Sequence, residues 1–396
     1  MNPFTTRSRI VVTCNKRLAP FLSQEVEELG FLVKRVFQTG VEAEGTLEDC
    51  IRLNLNLRCA SQVLYSVRTF RANRPEDVYK NLLTIPWEKW IANDSYFSVT
   101  STVDHFTVNN NLFVNVKVKD AIVDRIRQQT GARPDSGPDL SHAVVHLYWK
   151  EEHAEIFLDT SGPTLAKHGY RKIPGKAPML EALASAAILA MKWDRKSPFV
   201  NPMCGSGTLA IEALHIATNR RPGLFRTNYG FMHITGYREE MYTKERQRLN
   251  DQVHEVPGLV AIATDNRQDA IDISRINAKA AGVESMLRFQ VCDFAETEIP
   301  ETPGVICINP EYGERMGEFA ELEGTYKRIG DFLKQKCKGY LGYIYTGNLD
   351  LAKKIGLKTS RRIEFYSAKL DCRLLEYELY AGTRRQPEAQ DTKTTE

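Results

Sequence analysis

Three stretches of this 396-residue chain carry residue types and spacings that could do chemistry. The first is Asn201-Pro202-Met203-Cys204-Gly205-Ser206-Gly207-Thr208-Leu209, which follows the apolar pair Phe199-Val200 and opens a helical pattern. Glycines there carry no Cβ, so backbone amides can approach a ligand closely. With Ala210 the spacing also satisfies a G-x-G-x-x-A dinucleotide pattern, which wants an acidic residue about 20 positions on. The next strand pattern that ends in an acid closes only at Asp265. That distance counts against a nicotinamide cofactor. The second stretch is a pair of strand ends, Asp265 after Val260 to Thr264 and Asp293 after Phe289 to Cys292. A carboxylate at a strand's C-terminal end can accept ribose hydroxyls, and a second can meet an adenine amino group. Either acid alone serves equally well as a helix N-cap. Together with the glycine loop they describe a nucleoside cofactor lying across the edge of a sheet.

The third stretch is Asn309-Pro310-Glu311-Tyr312-Gly313-Glu314-Arg315, directly after the strand pattern Val305 to Ile308. This set suits an exocyclic amine of a nucleobase, a poor nucleophile because its lone pair is delocalised into the ring. The Asn309 side-chain oxygen and the Pro310 carbonyl can accept its N–H groups, and Tyr312 can stack on the base. Such catalysis works by orientation and electrostatics, with no metal. A different chemistry, methyl transfer through a covalent cysteine, would need a thiol in this turn. Cys204 lies in the glycine loop instead, and the turn carries Tyr312.

The elements that must position these residues follow from periodicity. Strands and helices alternate from the helix Leu180 to Met191 through Gly339 to Thr346, which predicts a doubly wound parallel sheet. Before it come two α+β units. In the first, Thr46 with Asp49 three residues on reads as a capping box. In the second, a strand Gln62 to Arg71 and a helix near Pro75 to Leu83 precede a strand Tyr96 to Thr102. A helix Val118 to Arg127, a loop Gly131 to Ser141 and one long strand His146 to Asp159 follow. The insert from Ala217 to Val256 reads as a lid or a polyanion contact through Arg220, Arg221, Arg226 and Tyr229.

Composition is ordinary for a globular protein, with 42% hydrophobic and 26% charged residues and a net charge of +3. No apolar run is long enough to span a bilayer and no secretory signal opens the chain, so a cytoplasmic protein is expected, with no membrane partner. The eight cysteines form no C-x-x-C pair and no zinc spacing, so no metal is expected.

The chain resembles the THUMP-domain RNA methyltransferases, and most closely the bacterial guanine-N2 methyltransferases of large-subunit ribosomal RNA. The resemblance rests on Gly45-Thr46-Leu47-Glu48-Asp49, Leu53-Asn54-Leu55-Asn56-Leu57-Arg58, Val118-Lys119-Asp120-Ala121-Ile122-Val123-Asp124 and Leu158-Asp159-Thr160-Ser161-Gly162. It continues through His168-Gly169-Tyr170-Arg171, Ala177-Pro178-Met179-Leu180-Glu181, the stretches above, and Lys369-Leu370-Asp371-Cys372-Arg373. It implies an α/β protein in which ferredoxin-like (1–60) and THUMP (61–165) domains precede a Rossmann-like methyltransferase domain (166–384), with a disordered tail (385–396). It implies S-adenosylmethionine as cofactor. Pro202, Cys204, Gly205, Ser206, Gly207 and Thr208 would hold its methionine part, Asp265 its ribose, and Asp293 its adenine region. Asn309 would border that cofactor and, with Pro310 and Tyr312, act in catalysis. The RNA would be ribosomal or, in family members of the same layout, transfer RNA, with Lys119, Arg125 and Arg133 as phosphate contacts. Adenine-N6 transfer and a non-catalytic RNA-binding protein are the alternatives. The family reads Asn-Pro-Pro-Tyr where this chain has Glu311, and an Arg where it has His168.

Overall fold

The computed structural model describes residues 3–175, 178–313, 319–367 and 370–380. The chain opens with β1 (Ser8–Thr13), α1 (Ala19–Glu28), β2 (Arg35–Phe37), β3 (Gly40–Gly45) and α2 (Leu47–Asn56). The expected box caps α2: the Asp49 N–H donates to Thr46 Oγ1 at 3.2 Å, and the Thr46 N–H donates to Asp49 Oδ2 at 2.8 Å. Next come β4 (Gln62–Arg71), α3 (Pro75–Leu83), β5 (Tyr96–Asp104), α4 (Asn111–Thr130), β6 (Asp135–Ser136), β7 (Ala143–Lys150) and β8 (His153–Asp159).

Among the described residues these strands form one eight-stranded sheet, ordered β2-β3-β1-β4-β8-β7-β5-β6. The sheet crosses the expected boundary at residue 60 without a break, because β4 pairs with both β1 and β8. The single strand expected from His146 to Asp159 is instead the hairpin of β7 and β8. Lys150-Glu151-Glu152-His153 is a run of solvated polar residues, and Glu151 turns the chain at φ +51°. The loop from Gly131 to Ser141 also differs, since β6 within it adds to β5.

The second half holds α5 (Glu181–Ala190), β9 (Phe199–Pro202), α6 (Thr208–Ala217), α7 (Glu239–Asp251), β10 (Ala261–Asp265), α8 (Gln268–Ala280), β11 (Leu287–Val291) and β12 (Val305–Ile308). It continues with α9 (Phe319–Lys336), β13 (Leu341–Thr346), α10 (Leu349–Lys353), β14 (Arg361–Ser367) and β15 (Leu370–Glu378). The seven described strands are ordered β11-β10-β9-β12-β13-β15-β14. The first five are parallel, as the alternation predicts, and a terminal antiparallel hairpin completes the edge. The chain winds outward in both directions from β9 and β12, so the switch point lies between them. Ligands of such sheets sit outside the carboxyl ends of the strands at that point. The tail from 385 to 396 lies outside the described residues.

The 217–256 insert is a brace rather than a lid. Its helix α7 buries Met241, Tyr242 and Leu249, and its Glu245 accepts from the Asn56 side chain on α2 at 2.7 Å. Arg226 donates to the carbonyls of Thr164 and Pro163, both at 2.9 Å, and Tyr229 is buried. Arg221 donates to the Asn219 side chain at 3.0 Å, and Arg220 gives its carbonyl to Arg58 at 2.8 Å. The two halves also meet through a buried polar cluster. His168 Nδ1 lies 2.8 Å from Glu212 on α6, and its Nε2 lies 2.9 Å from the Arg58 carbonyl. Ser185 on α5 donates to the other Glu212 oxygen at 2.5 Å. All eight cysteines are free, and no described helix is long and apolar enough to cross a membrane.

Candidate functional site

The glycine loop leaves β9 through a sharp turn in which Met203 and Gly205 both have φ +55° and Gly207 has φ +80°. The two glycines do different things. A Cβ on Gly207 would sit 2.1 Å from Ser274 Oγ on α8, so the loop is packed tightly from beneath at that position. A Cβ on Gly205 would meet nothing within 4 Å. The loop therefore presents open backbone at 205 and closed packing at 207.

Asp265, at the end of β10, is built into this loop. Its Oδ2 accepts the Gly205 N–H at 3.0 Å and its Oδ1 accepts the Arg267 N–H at 3.1 Å. A carboxylate has about four lone-pair sites, so acceptor capacity remains for a ligand. Asp293 caps a short turn, accepting the Ala295 N–H at 2.9 Å, and pairs with Arg328 of α9 at 2.7 Å. Burial would raise its pKa, but the Arg328 guanidinium and the Ala295 N–H hold the carboxyl below the ordinary value. The N-cap role open to either acid in the sequence is thus realised at Asp293, beside whatever ligand it meets.

Cys204 lies buried within the loop, and burial pushes its thiol far above the ordinary range. Its side chain packs within the loop, where burial favours the neutral thiol. Ser206 Oγ lies 3.2 Å from Thr208 Oγ1 at the start of α6. Pro202 ends β9 beside β10.

Asn309 to Gly313 leaves the adjacent strand end, across the switch point. Asn201 ties the two strands together by donating to the Cys307 carbonyl at 2.8 Å, while its own Oδ1, fully buried, has no partner. The Asn309 side-chain oxygen accepts from the Tyr312 hydroxyl. An amide oxygen carries two lone pairs, so one remains for an incoming N–H. Burial pushes the Tyr312 hydroxyl far above its ordinary pKa, which keeps it a neutral donor. Its ring packs against Gly347, where an added Cβ would come within 3.3 Å of it. Glu311 lacks the ring restraint of proline, yet the turn is pinned from outside. Tyr326 donates to the Glu311 carbonyl at 3.2 Å and Asn348 donates to the Tyr312 carbonyl at 3.1 Å. The Glu311 side chain is exposed.

Several site residues escaped the reading of the sequence. Asn277 on α8 accepts the N–H groups of Lys172 and Ile173 at 2.9 and 3.1 Å and donates to the Ser206 carbonyl at 3.2 Å. It lashes segment 170–173 onto the glycine loop. Arg171 on that segment donates to Thr208 Oγ1 at 3.0 Å. The signal was available in Asn277, a polar residue at core spacing on the helix face of Ala270, Ile271, Ser274 and Ala278.

The three cations expected to meet phosphate fare differently. Arg125 pairs with Glu88, donating to both carboxylate oxygens at 2.8 and 3.2 Å. Lys119 pairs with its neighbour Asp120 at 2.9 Å. Arg133 is exposed in the loop after α4. Among the described residues no cluster of His, Cys, Asp or Glu could hold a metal ion.

Open backbone at Gly205, Asp265 beneath it and an unpartnered Asn201 oxygen fit a nucleoside with a polar tail. Set at the switch point of this sheet, they form a Rossmann-like site for a nucleoside cofactor, the kind of site a methyltransferase uses. Comparison with known families agrees: the RMKL-like methyltransferase domain matches residues 168–376, the RlmL ferredoxin-like domain 9–64, and the THUMP domain 72–159. The chain belongs to the RMKL-like methyltransferase family.

The ribosomal RNA large subunit methyltransferase K/L of Syntrophotalea carbinolica is 33% identical over 94% of this chain and 53% of its own length. The Synechocystis protein slr0064, named as an RNA methyltransferase, is 30% identical over 93% of this chain and 96% of its own. The chain thus spans about half the length of the K/L relatives it matches. Among solved structures, the SMU.472 methyltransferase complexed with SAH superposes with a TM-score of 0.86 at 25% identity, covering 96% of this chain and all of that one. A predicted N6-adenine-specific DNA methylase from Listeria monocytogenes gives 0.85 at 27% identity, covering 94% and 97%.

Proposed function

We propose that this methyltransferase transfers a methyl group from S-adenosylmethionine to the exocyclic N2 amine of a guanosine in RNA, with large-subunit ribosomal RNA as the substrate. The observation that carries the reading is the Asn309-Pro310 turn at the end of β12, beside the glycine loop across the switch point. S-adenosylmethionine supplies an electrophilic methyl group when bound. The chain's own residues aim the amine at it. Asn309 Oδ1 and the Pro310 carbonyl accept the amine N–H groups, which localises its lone pair and stabilises the positive charge that develops on nitrogen. Tyr312 fixes the Asn309 oxygen by donating to it. The target base leaves its stack or comes from a single strand. The THUMP region, with Lys119 and Arg133, holds the surrounding RNA in the cytoplasm.

Guanine presents an N1–H donor beside its N2 amine, and the exposed Glu311 carboxylate accepts it while Asn309 and Pro310 take both amine N–H groups. Adenine N1 is an acceptor and offers no such donor, although the Listeria structure keeps adenine-N6 as the second reading.

Asn309→Ala tests the reading. Methyl transfer to RNA falls by roughly 100-fold or more, the scale for losing one preorganised polar group, while binding of S-adenosylhomocysteine by calorimetry stays close to wild type. Transfer unchanged in this variant places the chemistry elsewhere.

A further inference from the structure

Far along the chain from the methyl-transfer site, β5 ends in a turn that leads into α4. The Val108 N–H closes it onto the His105 carbonyl at 3.0 Å, which leaves Phe106 at its tip, 87% exposed. Behind Phe106 stands a column of rings. The His105 imidazole lies 4.6 Å from Phe106 at an interplanar angle of 29°, and 4.3 Å from Trp149 at 22°. Two rings so close and so nearly parallel cannot share one imidazole face, so they sandwich it.

The column is rigid at its base. Trp149 is fully buried and donates its indole N–H to the Ala72 carbonyl at 3.1 Å. His105 Nδ1 is held by Thr107, whose N–H donates to it at 3.3 Å and whose hydroxyl lies at 2.8 Å. A flat apolar face is thus held out in water by a stack anchored in the core.

We infer that Phe106 is a stacking platform for an unpaired RNA base, a binding site separate from the one that takes the target guanosine. The inference rests on the RNA reading above. Aromatic platforms bind bases of any sequence because every base has a π-face. A preordered ring loses little conformational freedom on binding. The surroundings suit a nucleotide. Asn109 and Asn111 expose amides that can meet base edges, and Lys117 stands 5.6 Å over the Phe113 ring with no carboxylate partner among the described residues. Of the nearby acids, Asp104 faces Lys150 at 3.6 Å, and Glu151, whose N–H donates to the Asp104 carbonyl at 3.3 Å, is exposed in the β7–β8 turn. Leu112 and Val116 extend the apolar surface along the first turns of α4, and a protein partner would cover these instead.

The test uses the full chain and two labelled RNA hairpins, one blunt and one with a short unpaired tail, with affinity read by fluorescence anisotropy across a salt series. Phe106→Ala weakens binding of the tailed hairpin about ten-fold and leaves the blunt hairpin and the salt slope unchanged. Phe106→Trp restores the tailed hairpin. Equal affinity of Phe106→Ala and wild type for the tailed hairpin overturns the inference, as does an equal loss on both hairpins. A Phe106→Ala variant that changes sedimentation mass with RNA binding intact marks the patch as a protein interface and also overturns it. Wild type that binds neither hairpin brings down the RNA reading itself, an outcome distinct from failure of the platform alone.

Discussion

The two loop glycines make opposite demands, and exchanging each for alanine separates fold from cofactor. Both sit in left-handed conformations, φ +55° at Gly205 and φ +80° at Gly207, so each alanine costs about 1–2 kcal/mol of backbone strain. At Gly205 nothing further is lost, because a Cβ there meets no atom within 4 Å. At Gly207 the Cβ lands 2.1 Å from Ser274 Oγ. Rotating that hydroxyl away still leaves Ser274 Cβ at 3.1 Å and Cα at 3.4 Å, so α8 itself must shift. Overpacking of this kind adds about 1–3 kcal/mol. Gly207→Ala should therefore be destabilised by about 2–5 kcal/mol and Gly205→Ala by about 1–2 kcal/mol in urea unfolding. Affinity for S-adenosylhomocysteine should run the other way: Gly205→Ala, folded but with a methyl group on the open backbone, should bind at least about ten-fold more weakly, or roughly 1.4 kcal/mol. A Gly205→Ala protein that binds like wild type would refute the assignment of that open face to the cofactor. Equal stability of the two variants would refute the packing argument.

Three further outcomes follow from the same contacts. For His168, burial lowers the pKa, but the Glu212 carboxylate and the Arg58 carbonyl outweigh it and raise it above the ordinary value; a raised histidine stabilises fully below its unfolded pKa of about 6.5 and loses that contribution as pH rises through its folded pKa, so urea stability should fall with alkaline pH in wild type and less in His168→Gln. Against burial, His168 holds the Glu212 carboxyl down at about 2, so its contribution is lost only as pH falls from about 4.5 toward 2; removing His168 leaves a buried carboxylate unpaired and should cost about 3–5 kcal/mol at neutral pH. Cys204→Ser should keep methyl transfer within about ten-fold of wild type, since a protonated packing thiol takes no covalent part; complete loss with cofactor binding retained would revive a cysteine nucleophile. Glu311→Pro should lose preference for guanine over adenine in RNA while keeping the turn folded, and unchanged activity and base choice would rule out the guanine-reading carboxylate.

What could be read from the sequence was local. β4 and α3 begin and end where their periodicity and Pro75 place them, and Thr46 with Asp49 forms the box that its spacing announces. The glycine loop, Asp265, Asp293 and the Asn309 turn all fall at strand ends because each is written as a strand followed by a turn residue. Pairings between distant residues were not legible. Arg125 looked like a free helix cation until Glu88, 37 positions earlier, took its guanidinium. Asp293 read as a ligand contact or a helix N-cap, and its ion pair with Arg328, 35 positions later, was not legible. The insert with Arg226 and Tyr229 read as a surface because nothing local says that it packs against α2 and the carbonyls of residues 161–164. His168 departs from the family's arginine, and its physical reason emerged only when Glu212 and the Arg58 carbonyl came into reach from either side.

The central claim is methyl transfer to the N2 amine of guanosine in RNA. Its most direct test incubates the full chain with labelled S-adenosylmethionine and separate pools of unmodified ribosomal and transfer RNA, followed by nucleoside analysis. Label in N2-methylguanosine from the large-subunit ribosomal pool is the expected result. Label in 5-methylcytosine, or no label in any pool with cofactor binding intact, would contradict it.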